Sequence, residues 1–517
     1  MGAHLRGSYV RLRAATCADY SPQSILILRI VRLHETECAA QTAYSVLYTT
    51  AALIRMSVHL RMAAALCIAI SLLSSQHPLV RIEVIMASIS NNHPTPALAA
   101  APAPKPTAKQ ICACAKRVLS NLDATQAERE ALYKEFHNHP ELAFLEEWTS
   151  QRIFNDLTSA NIEVVRIGKT GLVARIKNGD GPCVCMRADI DGLPVKEASG
   201  KPYASTFTMT DPASGATVPM THACGHDFHI MSLLSALHAF AAHKDAWHGT
   251  FMGVFQPAEE VGQGALSLIR EGLCTQFEKP DVYLGQHVMP TLPSGCVATK
   301  VGPFFSAAYS IRITLHGKGS HGSMPELGID PVVLAASVIM RLQTIVSREM
   351  PSDERVVLTI GSVSAGSKAN IIPDTAVLLL NTRTYNAQLE KRLFAAIERI
   401  VRAECDAAGC TQPPDIEYFD RGPLTSNDAQ TTPRVQEAFA AYFGEHALLG
   451  EPQSVSEDFS YIPDEWGCPY TFWTLGGFAD VAHAPANHSP FFAPDLQPTL
   501  NCGVSAVVVA ASAWLAS

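Results

Sequence analysis

The stretch GTFMGVFQPAEE (residues 249–260) carries no charged side chain over its first eight residues and no alternation of polar with apolar. A strand with one wet face alternates, whereas a strand covered on both faces reads as a near-continuous apolar run. GLVARIKN (171–178), CVCMRADI (183–190) and DVYLGQHV (281–288) read the same way. Between them, FHIMSLLSALHAFAAH (228–243) places Ile230, Leu233, Leu234, Leu237 and Phe240 on one helical stripe, and GALSLIREG (264–272) stops at Gly272. Buried strands alternating with helices predict an α/β fold with a mostly parallel sheet. Ligands of such sheets bind beyond the carboxyl ends of the strands, which is where the opening stretch places Glu259 and Glu260.

Other chemistry-bearing residues arrive at the same edge. Asp189 and Asp191 follow the strand ending in MRAD, Cys224 and His226 in PMTHACGHDFH (219–229) precede the long helix, His287 closes YLGQH, and His488 stands in NHSPFF. Taken singly these are weak signals, since a histidine at a strand end is usually a hydrogen-bonded structural residue. A Cys-x-His pair in extended chain is stronger, because residues two apart face the same side and can meet one ion. Glu259 and Glu260, being neighbours, point differently, so one can hold a cation while the other faces a water. A bound cation lowers the pKa of water from about 15.7 towards 7, and a free carboxylate can take that proton and pass it to a leaving amine. On the residues alone a second reading stays open: Cys224 as nucleophile with His226 or His222 as base. His222 and His229 are otherwise read as structural.

Composition limits the alternatives. The chain has 517 residues, 47% hydrophobic, with a net charge of −9; basic residues are dispersed, so no nucleic-acid partner is expected and a small polar substrate is. The 14 cysteines show no regular spacing, and Cys183 and Cys185 sit in an apolar run, which suits reduced thiols and a reducing compartment. Residues 1–110 form a different kind of sequence, with no lysine before Lys105 and an Ala/Pro-rich linker over 93–110. They are read as a poorly ordered extension, an over-long start or a targeting segment. Their apolar stretch MAAALCIAISLL (62–73) falls short of the roughly 20 residues a bilayer demands, so no transmembrane segment is expected. The main domain then spans 111–303 and 418–517. It is interrupted by an α+β insertion at 304–417, whose helices are expected over 330–349 and 387–408 beside about four strands.

THACGHDFH, FQPAEE, GQHVMP, GKGSHGSMPELGIDPV, NIIPDTAVLLLNTRTY, SEDFSY and NHSPFF occur in an order and spacing that resembles the two-metal amidohydrolases. That family includes hippurate hydrolases, aminoacylase-like enzymes and plant hydrolases of indoleacetyl-amino acid conjugates. The resemblance runs from about residue 125 onward and leaves residues 1–110 outside. It implies a di-metal catalytic domain in which Cys224, His226, Glu260, His287 and His488 bind two divalent ions, manganese first and zinc second, with Cys224 bridging. Glu259 becomes the general base, Asp191 a carboxylate orienting a ligand, and Asp458 a support for the His488 loop.

The insertion becomes a lid or dimerisation domain, bringing His321 to the developing oxyanion and Asn370 and Arg383 to a substrate carboxylate. Without the motifs, these three read as a loop histidine, a turn asparagine and a strand arginine in a surface ion pair. The implied reaction is hydrolysis of N-acyl amino acids, hippurate-like or N-acetylated, to a carboxylic acid and a free amino acid. A homodimer or homotetramer through the lid and a cytoplasmic location are expected, with export or organelle targeting by the extension as the alternative. Glu326 stands where such enzymes commonly carry histidine or glutamine, which leaves the acyl preference open. A cysteine-nucleophile hydrolase and an inactive ligand-binding homologue are the competing functions.

Overall fold

The computed structural model describes residues 105–516 and, as backbone, the antiparallel pair Leu26–Ile27 with Ile85–Met86; the expectations for the remainder of 1–104 lie outside the described residues. The continuously described chain includes the end of the stretch read as linker. Thr107 and Gln110 close a capping box that starts the helix Ala108–Val118, a Thr-x-x-Gln start signal hidden at the end of the Ala/Pro run. Ile111, Cys114, Ala115 and Val118 of that helix are buried.

The main sheet has eight strands: β1 (Glu163–Ile167), β2 (Gly171–Asn178), β3 (Cys183–Asp189), β4 (Gly249–Gln256), β5 (Val282–Pro293), β6 (Val297–Thr299), β7 (Ala447–Leu449) and β8 (Tyr470–Phe478). Their order is β7-β6-β8-β5-β3-β4-β2-β1. The central run β8-β5-β3-β4 is parallel, and β2 and β1 add antiparallel strands at one side. The sheet is thus mostly parallel where the expected site lies. The pleat divides its residues between two cores. Val184, Met186, Phe251 and Phe255 join the layer under the helices His226–Ala242 and Leu496–Leu515, while Cys185, Met252 and Val254 join the opposite layer with Leu268 and Ile462. Both faces of β4 are covered, so all eight of its residues are buried. The helix Leu496–Leu515 has the length and composition to cross a bilayer, but 89% of its most apolar window is buried inside the protein.

The insertion has a core of its own, built from Ile311, Ile313, Leu334, Val338, Leu378, Leu393, Ile397 and their neighbours. Its four antiparallel strands run in the order Val356–Ala365, Thr375–Thr384, Ala307–His316, Asp415–Gly422. The helices Pro331–Thr344 and Ala387–Ala407 cover it. The unit extends to Gly422, past the expected boundary at 417. Its last strand is only partly buried along its length, so the sequence gives it little apolar signal. Chain leaves and returns through a two-stranded ribbon in which Gly302–Phe305 pairs antiparallel with Thr425–Asn427.

Candidate metal centre and its cavity

Four loops at the carboxyl edge of the central strands supply the site. Gly225 begins the helix His226–Ala242 at φ +81, where a Cβ would lie 2.3 Å from Val288 Cγ1; only glycine lets the Cys224 turn sit this close to β5. The helix start sets His226 and the turn before it sets Cys224. His287 lies within β5, which continues to Pro293. His488 adopts φ +67, and its N–H donates to the Ala223 carbonyl at 2.8 Å, tying its loop to the cysteine turn.

The expected ligands converge. Cys224, His226 and Glu260 each offer a ligand atom within 4.8 Å of the others. Cys224 Sγ lies 3.3 Å from His287 Nε2, and Glu260 Oε2 lies 3.3 Å from His488 Nε2. The imidazoles are aimed by backbone: His226 Nδ1 sits 2.9 Å from the Asp191 carbonyl and His287 Nδ1 2.8 Å from the Val288 carbonyl. Each Nδ1 is therefore the protonated nitrogen, which leaves the Nε2 lone pair for the cluster. His226 Nε2 and Glu260 Oε1 are buried without a hydrogen-bond partner. Two orphaned donors beside a thiol and two further imidazoles are the chemistry a cation completes, so the residues fit a metal. Asp191 serves both neighbours, since its carbonyl accepts the His226 Nδ1–H and its Oδ2 accepts the Glu260 N–H at 3.0 Å.

Glu259 lines the same cavity, with Oε2 3.8 Å from His226 Nε2. Burial, reinforced by Glu260, pushes its carboxyl well above the usual range. Burial raises Glu260 to about 7 and holds the Cys224 thiol well above its ordinary value.

Asp189, His226, His229 and His287 also lie together, but His229 is spent. Its Nδ1 meets Asp189 at 2.5 Å and its Nε2 accepts the Val288 N–H at 2.9 Å, so it is structural as expected. His222 is buried with neither nitrogen bonded, and burial lowers it to about 4. Asp458 departs from its expected part. It accepts from Gln256 Nε2 at 2.6 Å and Ala265 N at 2.9 Å and pairs with Arg187, bracing the loop after β4 and not the His488 loop.

Sequence reasoning missed Arg187, a buried guanidinium that also meets Asp189 at 2.6 Å and Glu457 at 3.0 Å; an arginine inside an apolar strand was its signal. It also missed Asn487, whose Nδ2 lies 3.7 Å from Cys224 Sγ and which stood in the NHSPFF motif but was given no role of its own.

The cavity, about 660 Å³, also receives Met289, Phe305, Val455 and, from the insertion, Asn381 and Arg383. Arg383 Nη1 donates to Ser456 Oγ at 2.7 Å and its Nε to Asn381 Oδ1 at 3.1 Å. His321 and Asn370 are elsewhere. His321 is exposed on the short ladder of Ser320–His321 with Ile371–Ile372, Asn370 is exposed just before that ladder and accepts the Gly322 N–H on its carbonyl at 2.8 Å, and neither lines the cavity. His321 Nδ1 is engaged by Ser323, whose Oγ is 2.7 Å away.

Residues 185–507 match peptidase family M20/M25/M40. The chain is 32% identical over 370 residues to the N-acetyl-L-cysteine deacetylase of Bacillus subtilis, covering 70% of this chain and 84% of that protein. It is 33% identical over 355 residues to the hippurate hydrolase of Campylobacter jejuni, covering 67% and 88%. The crystal structure of the Bacillus subtilis YXEP protein, a dinuclear metal-binding peptidase of the M20 family, superposes with a TM-score of 0.63 at 28% identity, covering 75% of this chain and 98% of that one.

Proposed function

The chain belongs to peptidase family M20/M25/M40, and from that premise we propose that it is a metal-dependent amidohydrolase that cleaves the amide bond of N-acyl amino acids. Cys224, His226, Glu260, His287 and His488 hold two divalent cations; manganese is the first candidate, by the family resemblance, and zinc the second, by the softness of sulfur and imidazole. When bound, the cations polarise the amide carbonyl and acidify water. Glu259 takes the proton of the attacking water and delivers it to the departing amine. Arg383, braced by Ser456 and Asn381, presents a fork that suits the free α-carboxylate. Met289 and Phe305 offer the acyl group an apolar wall.

His321 and Asn370 belong to a second stage of assembly. They reach the substrate when the 307–422 unit swings over the cavity, or when the same unit of a second copy does, excluding water and adding an electrophile at the developing oxyanion. Exposed apolar side chains on that unit are available to a second copy: Val332, Val333 and Met340 on one helix, and Val357 and Val363 on the edge strand Val356–Ala365. The eleven cysteines among the described residues are free thiols, which supports a reducing compartment and hence the cytoplasm.

The observation that carries this reading is the pair of buried imidazoles whose Nδ1 atoms face carbonyls while their Nε2 atoms face a thiol and a carboxylate. The test is hydrolysis of hippurate and a panel of N-acetyl amino acids with manganese or zinc, beside elemental analysis and chelation. Turnover lost on chelation and restored by metal is expected. Turnover surviving chelation would transfer the chemistry to Cys224 as nucleophile, and none at all in metal-loaded protein would leave a ligand-binding homologue.

A further inference from the structure

Among the described residues, five non-glycine residues have positive φ, and two of them, Phe144 at +63° and Ala258 at +52°, share one partner. Both donate their backbone N–H to the same oxygen, Glu146 Oε1, at 2.8 and 2.9 Å. The other oxygen accepts the Thr170 hydroxyl at 2.7 Å. Glu146 is fully buried, and its hydrogen-bond partners are neutral. A carboxyl group set there gains no ion pair to offset its desolvation; what it contributes is a fixed array of acceptor positions. Ala258 immediately precedes Glu259. The loop that follows folds on itself, with Gly262 N donating to the Glu259 carbonyl at 2.7 Å and Gly264 N to the Ala258 carbonyl at 3.1 Å. Three carboxylates tether it from outside: Glu146 at Ala258, Asp191 at Glu260 and Asp458 at Ala265.

We propose that Glu146 is a positioning residue for Glu259, holding Ala258 in the left-handed conformation that directs the general base at the cavity. A non-glycine residue leaves that region when nothing detains it. If Ala258 relaxed to negative φ, the peptide entering Glu259 would rotate and carry its side chain away, and sub-ångström placement decides how well a base works. The proposal rests on the general-base reading of Glu259.

Its contacts make it separable from an electrostatic role. In Glu146→Gln the amide oxygen can accept both N–H groups while the amide nitrogen donates to Thr170, so geometry survives and charge does not. In Glu146→Ala the tether is gone. Placing glycine at 258 removes the steric reason for relaxing, so Ala258→Gly in the Glu146→Ala background should recover part of the loss. Full-length, metal-loaded proteins are compared by kcat, KM, bound metal and hydrogen exchange of the 257–264 segment.

Expected are a wild-type kcat for Glu146→Gln within about twofold, a drop of about tenfold or more for Glu146→Ala with KM and metal unchanged and faster exchange, and at least threefold recovery in the double variant. An unchanged kcat in Glu146→Ala, an equally damaging Glu146→Gln, or no recovery in the double variant overturns the proposal. Should Glu146→Ala yield no soluble protein, Ala258→Val decides: a β-branched residue opposes that φ, so a fall in kcat with metal retained supports the tether, and an unchanged kcat overturns it. If wild type hydrolyses no N-acyl amino acid, the functional reading fails by itself. The exchange comparison still decides here, because a 257–264 segment as protected in Glu146→Ala as in wild type overturns the tether.

Discussion

Around Cys224 most of the sheet edge is built to completion: the His226 and His287 rings are oriented by carbonyls, Cys224, Glu259 and Glu260 are enclosed and the loops are tied to one another, with His488 alone of the candidate ligands exposed to solvent. On the inserted unit, by contrast, His321, on a two-rung ladder, and Asn370, just before it, are exposed and outside the cavity, and of the three residues expected over the substrate Arg383 alone reaches its wall. On the proposed function, the difference follows from what each region must do. A cation cluster works only if its donors are desolvated and fixed before anything binds. Groups that cover a substrate have to stand aside to admit it.

The contrast can be broken most severely at Glu259. Glu259→Gln should lower kcat by about 10²–10⁴-fold, the usual worth of a positioned proton-transfer group, while elemental analysis finds wild-type metal; retention of most activity would remove the general-base role. Cys224→Ala attacks the finished half itself and should strip bound metal and turnover together, so unchanged metal stoichiometry would count against ligation. His321→Ala addresses the other half. It should cost roughly 10²-fold in kcat, as loss of one oxyanion donor does, with metal content and Tm unchanged because the side chain is exposed. A loss of metal in that variant would erase the distinction between the two regions.

The smallest effect tests the frame behind the ligands. His137 is buried between Asp227, at 2.7 Å, and Glu197, at 3.2 Å. Burial opposes its protonation, but the two carboxylates prevail and raise it to about 9. Folding therefore favours the protonated ring. That stability is complete below the unfolded imidazole value near 6.5 and is lost as pH climbs through about 9, amounting to on the order of 3 kcal/mol. Wild type should lose Tm between pH 7 and 9.5 more steeply than His137→Gln, and parallel profiles would refute the assignment.

How much of this was legible follows from the physics of each part. Doubly covered strands betray themselves by unbroken apolar runs, so 171–178 and 249–256 could be placed to the residue. The candidate ligands could be named because thiol, imidazole and carboxylate recur at strand ends in an order that motifs record. Contacts between distant residues leave no such trace. Glu146 sits in an acidic pair that reads as a helix start, and nothing local announces that its partner lies beyond β4. Asp458 was given the wrong neighbour for the same reason. Its motif marks a buried acid but not which loop that acid faces, and Gln256 and Ala265 won. The helix start at Thr107 went unread because Thr107 and Gln110 are unremarkable until a buried helix follows them.

The ribbon joining the two units has a topological consequence. Because the outgoing and returning chain are antiparallel partners, with Phe305 opposite Thr425, their backbones stand about 5 Å apart. A tight hairpin turn spans such a gap, and none of β1 to β8 lies in the chain between the two ribbon strands. The 307–422 unit is thus modular, grafted onto the chain at one seam.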